Sequence, residues 1–282
     1  MFESIGRSIE LFKTSWAILM ADKELLVFPL LSGIISLIVL ATFILPLILA
    51  EFVQAAIPAG AIFFYGMLFA FYLVSYFVVI FFNTALISCV NARLQGKEMS
   101  VGEGLSNALR HFPSILGWAL ISATVGILLH LLRERGGIFG QIASALVGGV
   151  WGLVTFFVVP VLVLEDKGVF DAIKESTSLI RKTWGETIIG SGSIMLVFVI
   201  IGIIGFLGVI ATLFLGSTIV FGIALVLFIA LVIVLAVVAA AMQGIFVTAL
   251  YTYARTGTVP SSFNKDLIEN AFVHKSAGPG TI

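Results

Sequence analysis

His130 and Glu134 stand four residues apart, a spacing that places both side chains on one face of a helix. Histidine nitrogen and carboxylate oxygen both bind divalent metals, so the pair is half of a metal site. Arg133 and Arg135 flank the pair, which favours an ion-pair cluster, and beyond Glu51 we find no third ligand for it. We therefore predict no metal site and no cofactor.

Four carboxylates crowd the stretch from residue 165 to 175, and paired carboxylates can act as acid and base in catalysis. Here they alternate with lysines and arginines, which is typical of a solvated helix face. The lone histidines His111 and His274 are likewise expected in solvent. Because no metalloprotease, phosphate-loop, dithiol or nucleophile-elbow motif occurs either, we predict no catalytic residues and no enzyme. The four carboxylates are Glu165, Asp166, Asp171 and Glu175.

Asn83 and Gln243 are polar residues inside long apolar runs. Such residues usually form hydrogen bonds between membrane helices, which contribute about 0.5–1.5 kcal/mol each. The alternative is a polar pathway through the membrane lined by both side chains. No Asp, Glu, Lys or Arg lies near the middle of these runs, which disfavours an ion-coupled transporter.

The composition identifies lipid as the solvent around these residues. Of the 282 residues, 60% are hydrophobic and 11% are charged, and the mean hydropathy is +1.20. Soluble domains contain about 25% charged residues. The formal net charge is zero, so nothing indicates nucleic acid as a partner.

Six apolar segments are long enough to cross a bilayer, since a spanning helix needs about 20 apolar residues. The links between paired segments are short, which favours antiparallel hairpins. We predict an all-α polytopic bundle that forms a single integral membrane domain over residues 1–282. The predicted spans are residues 25–50, 61–91, 113–131, 138–164, 187–215 and 219–252.

The positive charges predict the orientation of the chain. Of the 15 Lys and Arg residues, only Arg133 and Arg135 fall on one side of the six spans. Loops rich in Lys and Arg stay in the cytoplasm. We therefore expect a multi-pass protein of the cell (plasma) membrane with both termini in the cytoplasm, and we note that the Arg133–Arg135 tip runs against the rule.

The phrases "KTSW" at residues 13–16 and "RKTW" at residues 181–184 each precede a membrane span. Apolar residues recur at steps of three and four before the first, third and fifth spans, which predicts three amphipathic helices. The chain therefore resembles a pseudo-three-fold repeat of amphipathic helix plus hairpin, with units at about 1–95, 96–166 and 167–257 and a tail at 258–282.

Each phrase is expected at the headgroup level, where cations face phosphates and Trp spans the boundary. Two alternatives remain: the helices lie in the interface, or they pack on one another. The residues predicted to contact headgroups are Lys13, Trp16, Arg110, Arg181, Lys182 and Trp184.

Glycines in the fourth and fifth spans predict close helix packing, because small residues let backbones approach each other in lipid. They are Gly148, Gly152, Gly202 and Gly205. Pro46 and Pro160 are expected to kink their helices, because proline lacks the N–H that a helix needs.

The stretch "FFVVPVLVLEDKGVFDAIKESTSLIRKTWG" resembles a group of uncharacterised prokaryotic six-span membrane proteins. The pattern is carried by Pro160, Glu165, Ala172, Ser176 and Trp184, and "ADKELLVFPLLSG" resembles the start of the group's first span. The group is similar in layout to the membrane domain attached to some glycerophosphodiester phosphodiesterases. The resemblance implies a six-helix membrane fold and no chemistry by itself.

Two classes of function follow. The first is a non-enzymatic membrane protein that binds lipid and organises the membrane, or a membrane subunit of a larger complex. Its partners would be membrane lipids, further copies of the chain or other membrane proteins. The alternative is a permease or channel for a neutral or lipidic small molecule, with Asn83 and Gln243 in its pathway.

Overall fold

A computed structural model describes residues 13–53, 61–214 and 216–257. It describes the side chains of residues 13–45, 65–181, 195–214 and 216–257. Nearly all of this chain is helical, and no strand occurs within it. The prediction of an all-α protein is confirmed.

Residues 13–21 are helical, and a 3₁₀ turn at Lys23–Leu26 leads into eight helices over the rest of the described chain. Six of the described helical segments are long and apolar enough to cross a membrane, as predicted. The helices are α1 (Val27–Val53), α2 (Ala61–Leu94), α3 (Val101–Arg110), α4 (Phe112–Arg135), α5 (Gly137–Val154), α6 (Val158–Leu164), α7 (Val169–Leu213) and α8 (Thr218–Thr256).

The fifth span differs from the prediction, because α7 continues through the boundary expected at Trp184. Helix α7 has 45 residues and so extends about 68 Å, roughly twice the hydrocarbon thickness. Its interior contains glycines but no proline, and glycine alone does not end a helix. The third amphipathic segment is therefore the first part of α7 and not a separate helix.

The fourth span is interrupted ahead of Pro160, where a kink was predicted. Helix α5 ends at Val154 and α6 begins at Val158. The buried Ser176 hydroxyl, from α7, donates to the Val154 carbonyl at 2.6 Å and accepts from the Phe157 N–H at 3.0 Å. Since buried backbone groups must be paired, this side chain makes the interruption tolerable.

The chain packs as two compact units. In the described part, unit 1 comprises residues 13–29, 90–97 and 182–257, and unit 2 comprises residues 30–89 and 98–181. This division does not follow the predicted repeat, which stays a prediction from the sequence pattern.

Unit 2 has a core made from one end of α2 and from α4, α6 and the start of α7. Trp118 of α4 stacks on Trp151 of α5, with ring centroids 5.8 Å apart. The link between these helices is a tight turn at Gly137, whose φ of 55° is the left-handed conformation that glycine adopts most readily. Fully buried side chains of this core include Ile87, Ile115, Phe157, Leu162 and Leu179.

Unit 1 has its core at the C-terminal part of α8, which contacts the 3₁₀ turn. Arg93, near the end of α2, binds the residues just before the 3₁₀ turn, Asp22 at 3.5 Å and the Ala21 carbonyl at 3.4 Å. The remainder of α8, residues 218–240, contains no buried residue. Buried side chains of this core include Leu19, Leu25, Phe28, Met242 and Ile245.

The predicted apolar faces of the amphipathic segments are buried at some positions and exposed at others. Leu19, Ala108 and Ile180 are buried, whereas Trp16 is 40% and Phe112 is 43% exposed. Both alternatives for these segments therefore stay predictions. Residues 1–12 of the first segment lie outside the described residues.

Candidate functional site

An elongated groove of about 700 Å³ lies between α7 and α8, inside unit 1. It runs along four positions of α7 and six of α8. The lining residues are Met195, Phe198, Val199, Gly202, Val232, Leu235, Ala236, Ala239, Ala240 and Gln243.

The groove forms because α7 and α8 are in contact at Gly205 and leave an open space between them at Gly202. A Cβ on Gly205 would stand 3.0 Å from Leu231 and 3.2 Å from Phe228, so the helices are in close contact there. A Cβ on Gly202, one turn away, would meet nothing within 4 Å. Small residues on α8 opposite Gly202, such as Ala236 and Ala239, leave the space between the helices open.

The groove is suited to an apolar occupant. Of the described residues that line it, Gln243 has the one polar side chain, and it is half-buried. None of the described residues that line the groove is ionisable. Acyl chains or apolar side chains suit such a surface, and the Gln243 amide lies at one end of it.

The residues predicted to contact headgroups are exposed wherever their side chains are described. Lys13, Arg110 and Arg181 are exposed, and Trp16 is 40% exposed. The side chains of Lys182 and Trp184 lie outside the described residues. These positions leave the headgroup contacts as a prediction.

The predicted polar pathway residues lie in different units, with Asn83 in unit 2 and Gln243 in unit 1. Asn83 is half-buried on α2, and no hydrogen bond joins its side chain to another described residue. The pathway stays a prediction.

The predicted packing glycines have different surroundings. Gly205 closes the α7–α8 contact, and a Cβ on Gly148 would stand 3.5 Å from Leu129 of α4. A Cβ on Gly152 or Gly202 would meet nothing within 4 Å. Gly202 therefore shapes the groove by leaving space.

The carboxylates between α6 and α7 form ion pairs. Lys167 binds Glu165 at 2.7 Å and Glu175 at 3.1 Å, and Lys174 lies 4.0 Å from Asp171. The hydrogen bonds that the Lys167 ammonium donates to Glu165 and then to Glu175 raise its pKa. The ammonium therefore stays charged throughout the physiological range, which agrees with a charged helix face.

The expectation that His111 is solvated is wrong. Its side chain is only 12% exposed, and Nδ1 lies 2.8 Å from the Asn107 carbonyl oxygen. Nε2 lies 3.5 Å from the Asp166 carboxylate, which is 91% exposed. The error arises because His111 joins α3 to α4, where two helix ends enclose the ring. His274 lies outside the described residues.

The start of α3 carries a reciprocal cap. The Ser100 hydroxyl accepts from the Glu103 N–H at 3.3 Å, and the Ser100 N–H donates to the Glu103 carboxylate at 2.8 Å. That backbone bond, together with the bond from the Ser100 hydroxyl, lowers the pKa of Glu103. The contribution of the carboxylate to the cap is therefore present above the ordinary glutamate pKa and is lost as the pH falls through the lowered value.

Sequence reasoning missed the groove and the role of Ser176. The groove is lined by Gly202 of α7 and by small residues of α8. This pairing could be recognised from the sequence only if the register of the two helices were known. Ser176 is one polar residue on the apolar face of its segment, which is a detectable signal. Across the described chain, no group of three His, Cys, Asp or Glu residues lies close enough to hold a metal ion.

Comparison with protein families identifies a match to a family of unknown function (DUF6159) over residues 61–261. The chain belongs to this family. The match begins with α2 and includes both sides of the α7–α8 groove. No curated protein and no solved structure matches the chain. The predicted similarity in layout to the glycerophosphodiester phosphodiesterase membrane domain gains no support from these comparisons.

Proposed function

We propose that this member of the DUF6159 family is a non-enzymatic multi-pass membrane protein that binds lipid in the α7–α8 groove and organises the membrane around it. The observation that supports this most is the apolar groove itself, with a single amide at one end. Its volume of about 700 Å³ lies within the roughly 300–1,000 Å³ of ligand pockets.

The exposure of the α7–α8 hairpin supports the same proposal. Within the most apolar 18-residue stretch of each helix, 56% of residues are buried in α2 and 0% in α8. In α7 the figure is 11%. Large apolar side chains such as Ile204, Leu207 and Leu227 are more than half exposed. This surface needs lipid, or another membrane protein, to cover it.

A membrane subunit of a larger complex is the second candidate, because the same exposed surface suits a protein partner. The two candidates differ in what occupies the groove. A lipid enters through a gap between two helices, whereas a partner helix covers the outer faces as well.

Cross-linking with a phospholipid that carries a photoreactive group on its acyl chain tests the proposal. The Gly202→Phe variant places a ring in the groove, and Gly208→Phe places the same ring on α7 outside it, where a Cβ also meets nothing within 4 Å. Adducts mapped by peptide mass spectrometry should concentrate at residues 195–202 and 232–243 in the natural protein and in Gly208→Phe, and should be lost in Gly202→Phe.

Adducts spread evenly along both helices and unchanged in Gly202→Phe would contradict a lipid groove. A second polypeptide that copurifies in constant proportion and shields the outer faces from adducts would favour the subunit candidate.

A further inference from the structure

A second, polar cleft of about 350 Å³ lies in unit 2, at the end of the α4–α5 hairpin where the two helices are joined. Helix α2 supplies one wall, and α4 and α5 supply the other. The lining residues are Tyr72, Tyr76, Gly126, Leu129, His130, Arg133, Gln141, Ser144 and Ala145.

The cleft lies near a membrane boundary. Arg133 is 21 residues after the first residue of α4, which corresponds to about 32 Å along the helix. The hydrocarbon layer is about 30 Å thick, so the guanidinium lies at the far headgroup level when the start of α4 is at the near one. Tyr72 and Tyr76 of α2 line the same cleft as Arg133 and so lie at a similar depth, near the membrane boundary where tyrosine rings are common.

Hydrogen bonds to both ring nitrogens orient the His130 side chain and leave most of the Arg133 N–H groups available to a ligand. Arg133 Nη2 lies 3.4 Å from His130 Nδ1, and His130 Nε2 lies 3.1 Å from the Glu134 carboxylate. This network assigns the proton of the neutral ring to Nε2, with Nδ1 as acceptor. The other N–H groups of Arg133 are then directed elsewhere.

Further donors in the cleft have no protein partner in the described chain. No hydrogen bond joins the hydroxyls of Tyr72 and Tyr76, or the side-chain amide of Gln141, to another described residue. The Ser144 hydroxyl donates to the Gln141 carbonyl at 3.0 Å, which leaves its oxygen as an acceptor.

Gly126 keeps the floor of the cleft open. A Cβ at this position would stand 3.3 Å from the ring and from the hydroxyl of Tyr76. Any larger residue would therefore push into the space that the two tyrosines enclose.

We infer that this cleft binds a phosphate group. The chemistry is a guanidinium, two phenol hydroxyls and an amide around one space; no described lining residue is a carboxylate, and the neighbouring Glu134 is bound by His130. A guanidinium binds phosphate oxygens through paired, charge-assisted hydrogen bonds, and hydroxyls supply the remaining donors. The site also explains an arginine at the hairpin end that the distribution of positive charge leaves unexplained. It is separate from the α7–α8 groove and does not depend on it.

Phosphate reaches such a site either as the headgroup of a phospholipid or as a free phosphate ester. Dioctanoyl phosphatidic acid and dioctanoyl glycerol have the same chains and differ in the phosphate alone. Binding of each to the full-length protein in mild detergent is measured by native mass spectrometry, with glycerol phosphate as a soluble competitor.

The matched variants are Arg133→Gln and Arg135→Gln, which remove the same charge two residues apart, in the cleft and outside it. We expect phosphatidic acid to bind about tenfold more weakly to Arg133→Gln and within about twofold of normal to Arg135→Gln. Tyr76→Phe, which removes one hydroxyl and keeps the ring, should weaken binding about threefold and serves if Arg133→Gln does not fold. All of these measurements are made in the Gly202→Phe background, so that lipid bound in the α7–α8 groove does not contribute to the result.

Displacement by glycerol phosphate would support a site for free phosphate esters, and binding without displacement would support a headgroup site. Equal affinity of phosphatidic acid and dioctanoyl glycerol would overturn the inference. So would equal losses in Arg133→Gln and Arg135→Gln, or an unchanged affinity in a folded Tyr76→Phe.

Discussion

The α4–α5 and α7–α8 hairpins share one sequence pattern, two long apolar helices joined by a short link that contains glycine, yet they present different surfaces. The α4–α5 hairpin packs Trp118 on Trp151 and has a polar cleft at its joined end. The α7–α8 hairpin touches at Gly205, and its groove is apolar.

The difference follows from where each hairpin places its small residues. In α4–α5, Gly136 and Gly140 stand at the link, where they bring the two backbones into contact. In α7–α8, Gly202 lies along the arm and leaves the groove open, whereas Gly205 lies at the helix contact next to it. A glycine therefore permits close contact where a facing group reaches it, and leaves an open space where none does.

The largest effect is expected from disrupting the close backbone contact at the α4–α5 link. A Cβ on Gly140 would collide with the Leu132 carbonyl group, and a backbone oxygen has little freedom to move. Gly140→Ala should lower the free energy of unfolding by about 3 kcal/mol or more. Gly149→Ala is the control on the same helix, since a Cβ there meets nothing within 4 Å. It should be neutral or stabilising by up to about 1 kcal/mol. Thermal unfolding in detergent measures both, and equal stabilities would refute the contact at the link.

A smaller effect tests how the α4–α5 hairpin is held to the start of α7. Ser176→Ala leaves the Val154 carbonyl and the Phe157 N–H without their buried partner. We expect a loss of about 2 kcal/mol. Thr177→Ala is the neighbouring control, because the Thr177 hydroxyl bonds to the Ile173 carbonyl of its own helix. Hydrogen exchange should show faster exchange at residues 155–158 in Ser176→Ala alone; protection that persists there would show that the hydroxyl does not seal the interruption.

The smallest effect is expected from comparing Gly205, at the helix contact, with Gly202, at the groove of α7. Gly205→Val presses on Leu231 and Phe228, whose side-chain ends shift by a few tenths of an ångström, so we expect a loss of about 1 kcal/mol. Gly202→Val enters the groove and should change stability by less than about 0.5 kcal/mol. Chemical unfolding of both variants in the same detergent compares them, and a greater loss at Gly202 would place the helix contact elsewhere.

The spans were predictable from the sequence because apolar length is a local property. Five of the six predicted segments begin and end within a few residues of the helices observed. The fifth span lies within the longer helix α7, because a polar phrase such as "RKTW" changes the surroundings of a helix without ending it. A kink was predicted at Pro160 from its missing N–H, which is also local, and the structure has an interruption just ahead of it.

The sites were less predictable, because they depend on which helix faces meet. His130 and Glu134 were paired correctly from their spacing, but Tyr72 and Gln141 join them only through packing of three helices. Gln243 was singled out as a polar residue in an apolar run, while the groove beside it depends on the register of α7 against α8.

The uneven burial of α8 has a mechanical consequence. Residues 241–251 are anchored in protein, whereas residues 218–240 extend about 35 Å with no buried residue among them. That length slightly exceeds the hydrocarbon layer of about 30 Å, and no protein core holds it at a fixed angle. A helix longer than the hydrocarbon layer accommodates the difference by tilting, so we expect this arm, together with the part of α7 that contacts it at Gly205, to change its tilt when the bilayer thins or thickens.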